Sequence, residues 1–170
     1  MSARVSIRQE DFDVSAEIAA LRAGDGGVGA VAAFIGTVRD RSEGAEIASM
    51  ELEHYPGMTE AAIEAMIDAA AARFDVRAAR VVHRIGVLAA TDQIVLVAVT
   101  SAHRGQAFQA CEFLMDYLKT QAPFWKKEAT GATSQWVDAR VADDAALARW
   151  GIEATNAEGP DSTVTSAGPP

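Results

Sequence analysis

The chain is poor in cysteine, in lysine and in long apolar runs, and these shortages exclude several classes of protein. Its single cysteine, Cys111, cannot form an internal disulfide, complete a zinc cage or make a CxxC redox pair. The longest aliphatic run, residues 94–99, is far shorter than the roughly 20 residues that span a bilayer. The charged start of the chain argues against a secretory signal. We therefore expect a cytoplasmic protein that makes no membrane contact.

Charge and composition indicate one acidic globular domain. The 170 residues carry 15 Lys and Arg against 24 Asp and Glu, a net charge of -9, so the surface as a whole repels nucleic acid and anionic membranes. Hydrophobic residues make up 49% of the chain, which is enough for a core. We predict one domain over residues 1–150. Residues 151–170 are rich in Gly, Pro, Ser and Thr without a hydrophobic period, which predicts a flexible tail.

Hydrophobic periodicity predicts an α+β fold with a largely antiparallel sheet. The apolar segment 93–100 is expected at the sheet centre, and Thr59 and Ser101 are expected as helix N-caps. Residues 24–29 are expected to form a tight turn and residues 39–46 a mobile loop. The third helix has an apolar stripe, formed by Phe108, Cys111, Leu114, Met115 and Leu118. The predicted strands cover residues 5–7, 30–38, 47–54, 80–85, 93–100 and 135–141, and the predicted helices cover 15–23, 59–74, 101–120 and 143–150.

The only three lysines, Lys119, Lys126 and Lys127, fall within nine residues, around the point where Pro123 prevents further helix. A purely structural explanation exists. Lys119 would complement the helix dipole, an effect of roughly 0.3–1 kcal/mol, and the other two would solvate a loop. Arginine, the cation used everywhere else in the chain, would do both equally well. Because lysine differs in being a compact amine, the cluster indicates a site that needs amines.

Further basic residues lie at the ends of predicted elements, where loops present functional groups. Arg39 closes the strand 30–38, and His103 and Arg104 begin the helix that Lys119 ends. A bound anion at this helix start would explain Arg104. The helix is about 27 Å long, so His103 and Lys119 of one chain cannot line one small pocket. Either they serve different sites, or a symmetric dimer brings the two helix ends together, which we favour.

Other reactive side chains are weaker candidates. His54 and His83 lie on predicted strands without a second ligand at metal-binding spacing, so we expect partly buried, hydrogen-bonded histidines and no metal. Cys111 falls on an apolar helix stripe, where a thiol is usually an inert core group. Trp125, beside the lysines, either stacks on a ligand ring or anchors the core.

Several longer segments carry a resemblance to a known family. They are GTVR at 36–39, LEHYPGMTE at 52–60, HRIG at 83–86, TSAHR at 100–104 and DYLKTQAPFWKKE at 116–128. Over about residues 5–150 the chain closely resembles the large, catalytic subunit of molybdopterin synthase. The resemblance implies an α/β hammerhead-type fold with an additional small antiparallel sheet. It also implies a homodimer at the centre of a heterotetramer, whose outer members are small ubiquitin-like sulfur carriers.

The activity that the resemblance implies is a sulfur transfer in molybdenum cofactor biosynthesis. The carrier's C-terminal Gly-Gly thiocarboxylate would insert into a pocket of the large subunit, and two carriers would be consumed to convert cyclic pyranopterin monophosphate to the dithiolene of molybdopterin. No cofactor is implied. The sulfur would arrive already activated, which agrees with a chain that has no reactive thiol.

The resemblance also implies a set of site residues. Lys119 and Lys126 match the family's essential lysines, Arg39, His103 and Arg104 match its anion-binding residues, and Thr37 and Lys127 complete the implied substrate-binding set. We hypothesise that Lys119 stabilises charge on the carbonyl oxygen of the thiocarboxylate, while Lys126 assists proton transfer or holds the pterin. The arginines and His103 would hold the phosphate, from the neighbouring subunit.

Two rival functions of other classes stay open at this point. A catalytically inactive docking subunit would hold an acidic partner tail on the lysines. It would lose binding in Lys119→Ala, whereas an enzyme would keep carrier binding and lose product. A Schiff-base enzyme would use Lys119 or Lys126 on a phosphorylated carbonyl compound, and borohydride would then trap the substrate.

Overall fold

The computed structural model describes residues 3–42, 44–46, 49–130, 133–137 and 141–153, and two four-stranded sheets dominate it. The helices are α1 (Val14–Arg22), α2 (Met58–Arg73), α3 (Arg104–Gln121) and α4 (Val141–Ala148). The strands are β1 (Val5–Arg8), β2 (Ala30–Thr37), β3 (Arg41–Ser42), β4 (Ala45–Glu46), β5 (Ser49–His54), β6 (Ala78–Arg84), β7 (Gly86–Leu88), β8 (Gln93–Ser101), β9 (Phe124–Thr130) and β10 (Thr133–Val137). The predicted α+β class is confirmed.

The first sheet has the strand order β1-β6-β8-β2 and carries the main core. β8 is antiparallel to both of its neighbours, whereas β1 and β6 run parallel. As its apolar run predicts, β8 is buried from residue 95 to its end. On one face of the sheet, α2 and α3 enclose Ile63, Phe113 and Val97. On the other face, α1 packs against Leu96 and Ala98.

The second sheet has the order β10-β9-β5-β7, and its neighbouring strands are antiparallel. It packs on the rest of the fold through a small hydrophobic cluster of Val38, Met50, Leu52 and Leu88. Met50 and Leu52 alternate with less buried residues, as expected for a half-buried strand. Residues 47 and 48, the start of the predicted strand, lie outside the described residues.

Several short strands were not predicted. The expected loop over residues 39–46 is wrong in part, because β3 and β4 form a hairpin there. β7 was missed because it has only three residues. The most important omission is β9, where a break in the helix and a loop were expected. Its sequence, FWKKEAT, contains charged residues of low strand propensity, and pairing with β5 and β10 overrides that preference.

The predicted caps of two helices are wrong by two residues. Gly57, not Thr59, is the N-cap of α2: its φ of 82° suits glycine, and its N–H donates to the Glu60 carboxylate at 2.6 Å. His103, not Ser101, is the N-cap of α3, because Ser101 still belongs to β8 and pairs with Ala30. Both predicted caps are instead buried polar residues.

Two other details of the prediction can be compared with the structure. The turn over residues 24–29 is confirmed: the Asp25 carboxylate accepts from the Gly27 N–H at 2.9 Å and pairs with Arg77. Most of the predicted α3 stripe is buried or half-buried, but its first residue, Phe108, is 66% exposed.

The C-terminal part agrees in outline with the prediction. α4 spans Val141–Ala148 rather than 143–150, and β10 ends at Val137, while residues 138–140 and 154–170 lie outside the described residues. Trp150 follows α4 and is tied to α3, because its Nε1 donates to Asp116 at 2.7 Å. The domain boundary at residue 150 stays a prediction. Within the described residues, the helices are too short or too polar to cross a bilayer.

The packing of α2 gives a test of the core. Ile63 is fully buried, whereas Met58 on the same helix is 55% exposed. We expect Ile63→Ala to lower the free energy of unfolding by about 2–5 kcal/mol, through lost burial and a cavity. Met58→Ala should change it by less than about 0.5 kcal/mol. Urea denaturation measures both, and equal effects of the two substitutions would contradict this packing.

Candidate active site

Strand β9 places Lys126 and Lys127 inside the second sheet, between β5 and β10. Lys126 pairs with Leu52, and Lys127 pairs with Glu51. Side chains directly opposite each other share a face of the sheet, and successive side chains alternate. Lys126 therefore shares the face of the buried Leu52, whereas Lys127 lies on the opposite face with Glu51. The register thus separates Lys126 and Lys127, which are adjacent in sequence, onto opposite faces of the sheet.

Phe124 links Lys126 to the first sheet. It lies two residues before Lys126 on the same face of β9, and its ring stacks on His83 of β6 with centroids 3.9 Å apart and an angle of 17° between the planes. His83 is only 6% exposed, and its Nδ1 lies 2.7 Å from the Arg84 carbonyl oxygen. Because a carbonyl only accepts, Nδ1 carries the proton and Nε2 keeps its lone pair. Burial lowers the pKa of His83 to about 4, with smaller effects from His54 and Lys119.

The direction of α3 decides where Lys119 lies. α3 begins just after β8 ends and packs back along β8 and β2. Its last turn therefore lies over the end of the first sheet where β8 begins, which we call the lysine end. Leu118 and Phe124 pack in the same hydrophobic cluster, and the charge of Lys119 is close enough to lower the pKa of His83. The fold thus brings Lys119 near the residues that precede Lys126.

Thr37 and Arg39 also lie at the lysine end. β2 is antiparallel to β8 and finishes with Thr37 opposite Gln93, the first residue of β8. Val38 packs in one cluster with Leu52, the strand partner of Lys126. Thr37 and Arg39 flank Val38 and are exposed. Both are therefore available to a ligand at this end of the sheet.

His103 and Arg104 lie at the opposite end of the first sheet. Both are exposed and stand where α3 begins, close to the pair that Ala30 makes with Ser101. Along the axis of α3, Arg104 and Lys119 are about 22 Å apart. One chain therefore does not bring His103 and Arg104 to the lysines.

The contacts or burial of the remaining candidates, His54, Cys111 and Trp125, account for them without a ligand. His54 Nε2 lies 3.3 Å from the Glu60 carboxylate. Burial raises the pKa of Cys111 to about 11, so its thiol is protonated at neutral pH. Trp125 makes an edge-to-face contact with Tyr55, with ring centroids 3.7 Å apart. Within the part of the chain that the structure describes, no three His, Cys, Asp or Glu side chains are arranged to hold a metal ion.

An open groove of about 430 Å³ lies away from the lysine end, between the end of α1 and the start of β2. Arg22 and Asp25 line it together with small apolar residues. None of the predicted site residues lines this groove. We therefore place the candidate active site at the lysine end and not in this groove.

The role of Thr59 and the aromatic contact of His83 were not predicted from the sequence. Thr59 appeared only as a helix cap, and its role as a buried link to Pro123 depends on tertiary structure. His83 was recognised as a buried, hydrogen-bonded histidine, and that interpretation fits the structure. Its stacking on Phe124 has no sequence signal, because 41 positions separate the two residues.

Burial of His83 predicts a pH dependence of stability. Its pKa falls from 6.5 to about 4 on folding, so between these values the unfolded state binds more protons than the folded state. The contribution is fully present above pH 6.5, and on the order of 3 kcal/mol is lost as the pH falls to about 4. We expect the ring NMR signals of His83 to stay unchanged from pH 7 to about pH 5.

Denaturation at several pH values provides the matched comparison. Below pH 6.5, the free energy of unfolding should fall more steeply in the native sequence than in His83→Phe, which has no titrating ring. A His83 titration midpoint near pH 6, or identical pH dependence of the two proteins, would contradict the assignment.

Comparison with known proteins identifies the family. The family model described as MoaE protein matches residues 7–121, more than half of the chain. The molybdopterin synthase catalytic subunit of Ralstonia nicotianae is 59% identical over 163 residues, which cover 96% of this chain and 93% of the relative. The molybdopterin synthase catalytic subunit of Vibrio cholerae is 52% identical over 150 residues, which cover 88% and 99%.

Solved structures agree with the sequence comparison. The molybdopterin biosynthesis MoaE protein from Burkholderia ambifaria matches with a TM-score of 0.78 and 56% identity, covering 89% of this chain and 100% of that one. A protein–protein complex of subunits 1 and 2 of molybdopterin-converting factor from Helicobacter pylori matches in fold, with a TM-score of 0.68 at 21% identity over 81% of this chain and 92% of that one. The resemblance predicted from the sequence is confirmed, and the chain belongs to the MoaE protein family, whose curated relatives are molybdopterin synthase catalytic subunits.

Proposed function

We propose that this chain is the catalytic subunit of a molybdopterin synthase, a sulfurtransferase of molybdenum cofactor biosynthesis. The observation that carries the proposal is the convergence of Lys119 and the strand of Lys126 on His83 and Phe124, in a chain of this family. The sulfur donor is the C-terminal thiocarboxylate of a small ubiquitin-like carrier. The acceptor is cyclic pyranopterin monophosphate.

The charges of the proposed substrates fit the lysine end. A thiocarboxylate and a phosphate are both anions, and a protein of net charge -9 repels them unless cations are concentrated locally. Lys119 and Arg39 are exposed, and Lys126 is half-buried. Partial burial strengthens an ionic interaction relative to bulk water. The amines can therefore meet an anionic tail that approaches this end.

Each lysine has a proposed role. Lys119 contacts the thiocarboxylate and stabilises the charge on its carbonyl oxygen while the C–S bond breaks. Lys126 assists proton transfer or holds the pterin. The chain needs no thiol for this transfer, since sulfur arrives on the carrier. The buried, protonated Cys111 agrees with that scheme.

The phosphate is assigned to a composite site that includes a second subunit. Arg39 lies at the lysine end of its own chain, so it reaches the site without a partner. His103 and Arg104 lie about 22 Å away along α3 and reach the site only from a neighbouring copy. Thr37 and Lys127 complete the proposed substrate-binding set. Lys127 lies on the other face of β9 from Lys126. Within this set we therefore propose that Lys127 binds the tail of the carrier and not the pterin.

An exposed apolar surface supports the dimer. β2 is an edge strand of the first sheet, and Val31, Phe34 and Ile35 on it are between 37% and 40% exposed. Phe108 of α3, which packs on β2, is also exposed. An apolar sheet edge of this length usually needs covering. We propose that a second copy covers it, at the centre of a heterotetramer with two carrier subunits.

A partner subunit is supported by the names of the relatives. They are called catalytic subunits, and the Helicobacter pylori structure is a complex of two different subunits. We assign the role of the second subunit to the sulfur carrier, whose flexible C-terminal tail would reach the lysine end.

The two lysines can be tested with purified thiocarboxylated carrier and cyclic pyranopterin monophosphate. We expect Lys119→Ala and Lys126→Ala each to lower the rate of dithiolene formation by about 100-fold or more. Carrier affinity should change only a few-fold. Lys127→Ala is the matched comparison, because it removes the same charge from the other face of β9. This variant should lower the rate of dithiolene formation by less than Lys126→Ala does.

The outcomes separate the proposal from its rivals. Loss of carrier binding in Lys119→Ala, together with a native chain that forms no dithiolene from carrier and pterin, would favour the docking subunit. Trapping of the pterin on either lysine by borohydride would favour the Schiff-base enzyme. A greater loss in Lys127→Ala than in Lys126→Ala would contradict the assignment of faces.

The composite site predicts complementation between two inactive variants. Arg104→Ala and Lys119→Ala should each be inactive alone. When subunits exchange in an equal mixture, half of the dimers are mixed, and each mixed dimer has one intact site. Activity should then return to about a quarter of the native value.

Sedimentation supplies the control for that experiment. The native chain should be dimeric at micromolar concentration, and mixed dimers should be detectable by mass spectrometry after exchange. Mixed dimers without restored activity would show that the site does not cross the subunit boundary. A monomeric native chain would exclude the composite site.

A further inference from the structure

We propose that Thr59 and His83 are positioning residues that clamp the start of β9 and thereby fix Lys126. The proposal rests on the proposed function in assigning a catalytic role to Lys126. The clamp itself is read from the contacts of residues 123–125, which immediately precede that lysine. Neither Thr59 nor His83 needs to touch a substrate.

Thr59 links the first turn of α2 to the residue before β9. Its side chain is fully buried, and its hydroxyl makes two hydrogen bonds. It accepts from the Tyr55 N–H at 3.0 Å and donates to the Pro123 carbonyl at 3.0 Å. Since Pro123 has no N–H of its own, this carbonyl is its one backbone hydrogen-bonding group. The hydroxyl therefore holds the chain at the point where it leaves α3 for β9.

His83 holds the next residue from the first sheet. Its ring lies on Phe124 with centroids 3.9 Å apart, and its Nδ1 donates to the Arg84 carbonyl, which fixes the plane of the ring. An imidazole held at both its edge and its face is a rigid platform. Phe124 is also the first residue of β9 in register with β5, opposite His54.

The third contact lies on the other face of the strand. Trp125 meets Tyr55 edge to face, with centroids 3.7 Å apart. Tyr55 is also the residue whose N–H donates to Thr59. Residues 123, 124 and 125 are thus each held by a different contact, and Lys126 is the next residue along. A shift at the start of β9 would move the Lys126 amine, and displacements of about 1 Å near reacting groups cost up to roughly a hundredfold in rate.

The hydroxyl of Thr59 can be tested with a matched set of substitutions. Thr59→Val keeps the shape and removes both hydrogen bonds, whereas Thr59→Ser keeps the hydroxyl. Thr100→Val is the control, because Thr100 is equally buried and donates to a backbone carbonyl, that of Ala78, in the first sheet. We expect Thr59→Val to lower kcat by roughly tenfold to a hundredfold with little change in the KM for carrier. Thr59→Ser and Thr100→Val should stay within about threefold of the native kcat.

The platform of His83 is tested in the same way. His83→Phe keeps a flat ring against Phe124, and His83→Leu removes it. The leucine variant should lose kcat by roughly tenfold or more, and the phenylalanine variant should recover most of that loss. If Thr59→Val fails to fold, the comparison of His83→Leu with His83→Phe still tests whether the start of β9 must be held in place.

A second measurement does not depend on enzyme activity. The chain has three lysines, so reductive methylation with ¹³C-formaldehyde gives three lysine NMR signals, assigned by single substitutions. In Thr59→Val and His83→Leu, the Lys126 signal should shift or broaden, while Thr100→Val should leave it in place. If the native protein proves inactive in sulfur transfer, these signals still test the clamp.

Three results would overturn the proposal. The first is a folded Thr59→Val or His83→Leu protein with native kcat and an unchanged Lys126 signal. The second is an equal loss of kcat in Thr100→Val, which would show that any buried threonine has the same effect. A rise in the KM for carrier with unchanged kcat would also count against it, since that result assigns these residues to carrier binding.

Discussion

The pairing of β9 with β5 is the constraint on which the proposed site depends. A segment with two adjacent lysines has little tendency to form a strand by itself. The ladder with β5 fixes its alternation, so Lys126 shares the face of buried Leu52 and Lys127 faces away with Glu51. The same pairing positions Phe124 so that its ring stacks on His83, where the second sheet meets the first. Without this register, Lys119 in the last turn of α3 and Lys126 on β9 would have no fixed position relative to each other.

Five candidate site residues of this acidic protein lie at the two ends of the first sheet. Lys119, Thr37 and Arg39 lie where β8 begins, and His103 and Arg104 lie where it ends. This division arises because α3 runs antiparallel to β8. The 18 residues of the helix span about 27 Å, so its first and last turns lie at opposite ends of the sheet. In the composite site that we propose, a second copy supplies His103 and Arg104 to the lysine end. The exposed apolar edge at β2 is the surface that we propose this copy covers.

Much of the fold was predictable from the sequence, and much of the site was not. The apolar run of β8 and the periodic stripes of α2 and α3 were readable because burial imposes them on the sequence. Lys119 and Lys126 became candidate site residues because lysine is rare in the chain. β9 was not predicted, because it forms a strand only by pairing with β5, which is distant in sequence, and with β10. Thr59 looked like a cap by type, yet Gly57 takes that position because its φ of 82° suits glycine. His83 and Phe124 meet only through tertiary structure.

The central claim is that amines at one end of the sheet transfer sulfur which the carrier brings, without a thiol of this chain. The most direct measurement follows ³⁴S from a labelled carrier thiocarboxylate through one turnover with cyclic pyranopterin monophosphate, by mass spectrometry of both the pterin and the protein. We predict that the label passes to the pterin dithiolene and that Cys111 forms no covalent bond to the carrier at any time. A thioester between the carrier and Cys111, formed with release of labelled sulfide before the pterin is labelled, would contradict this claim.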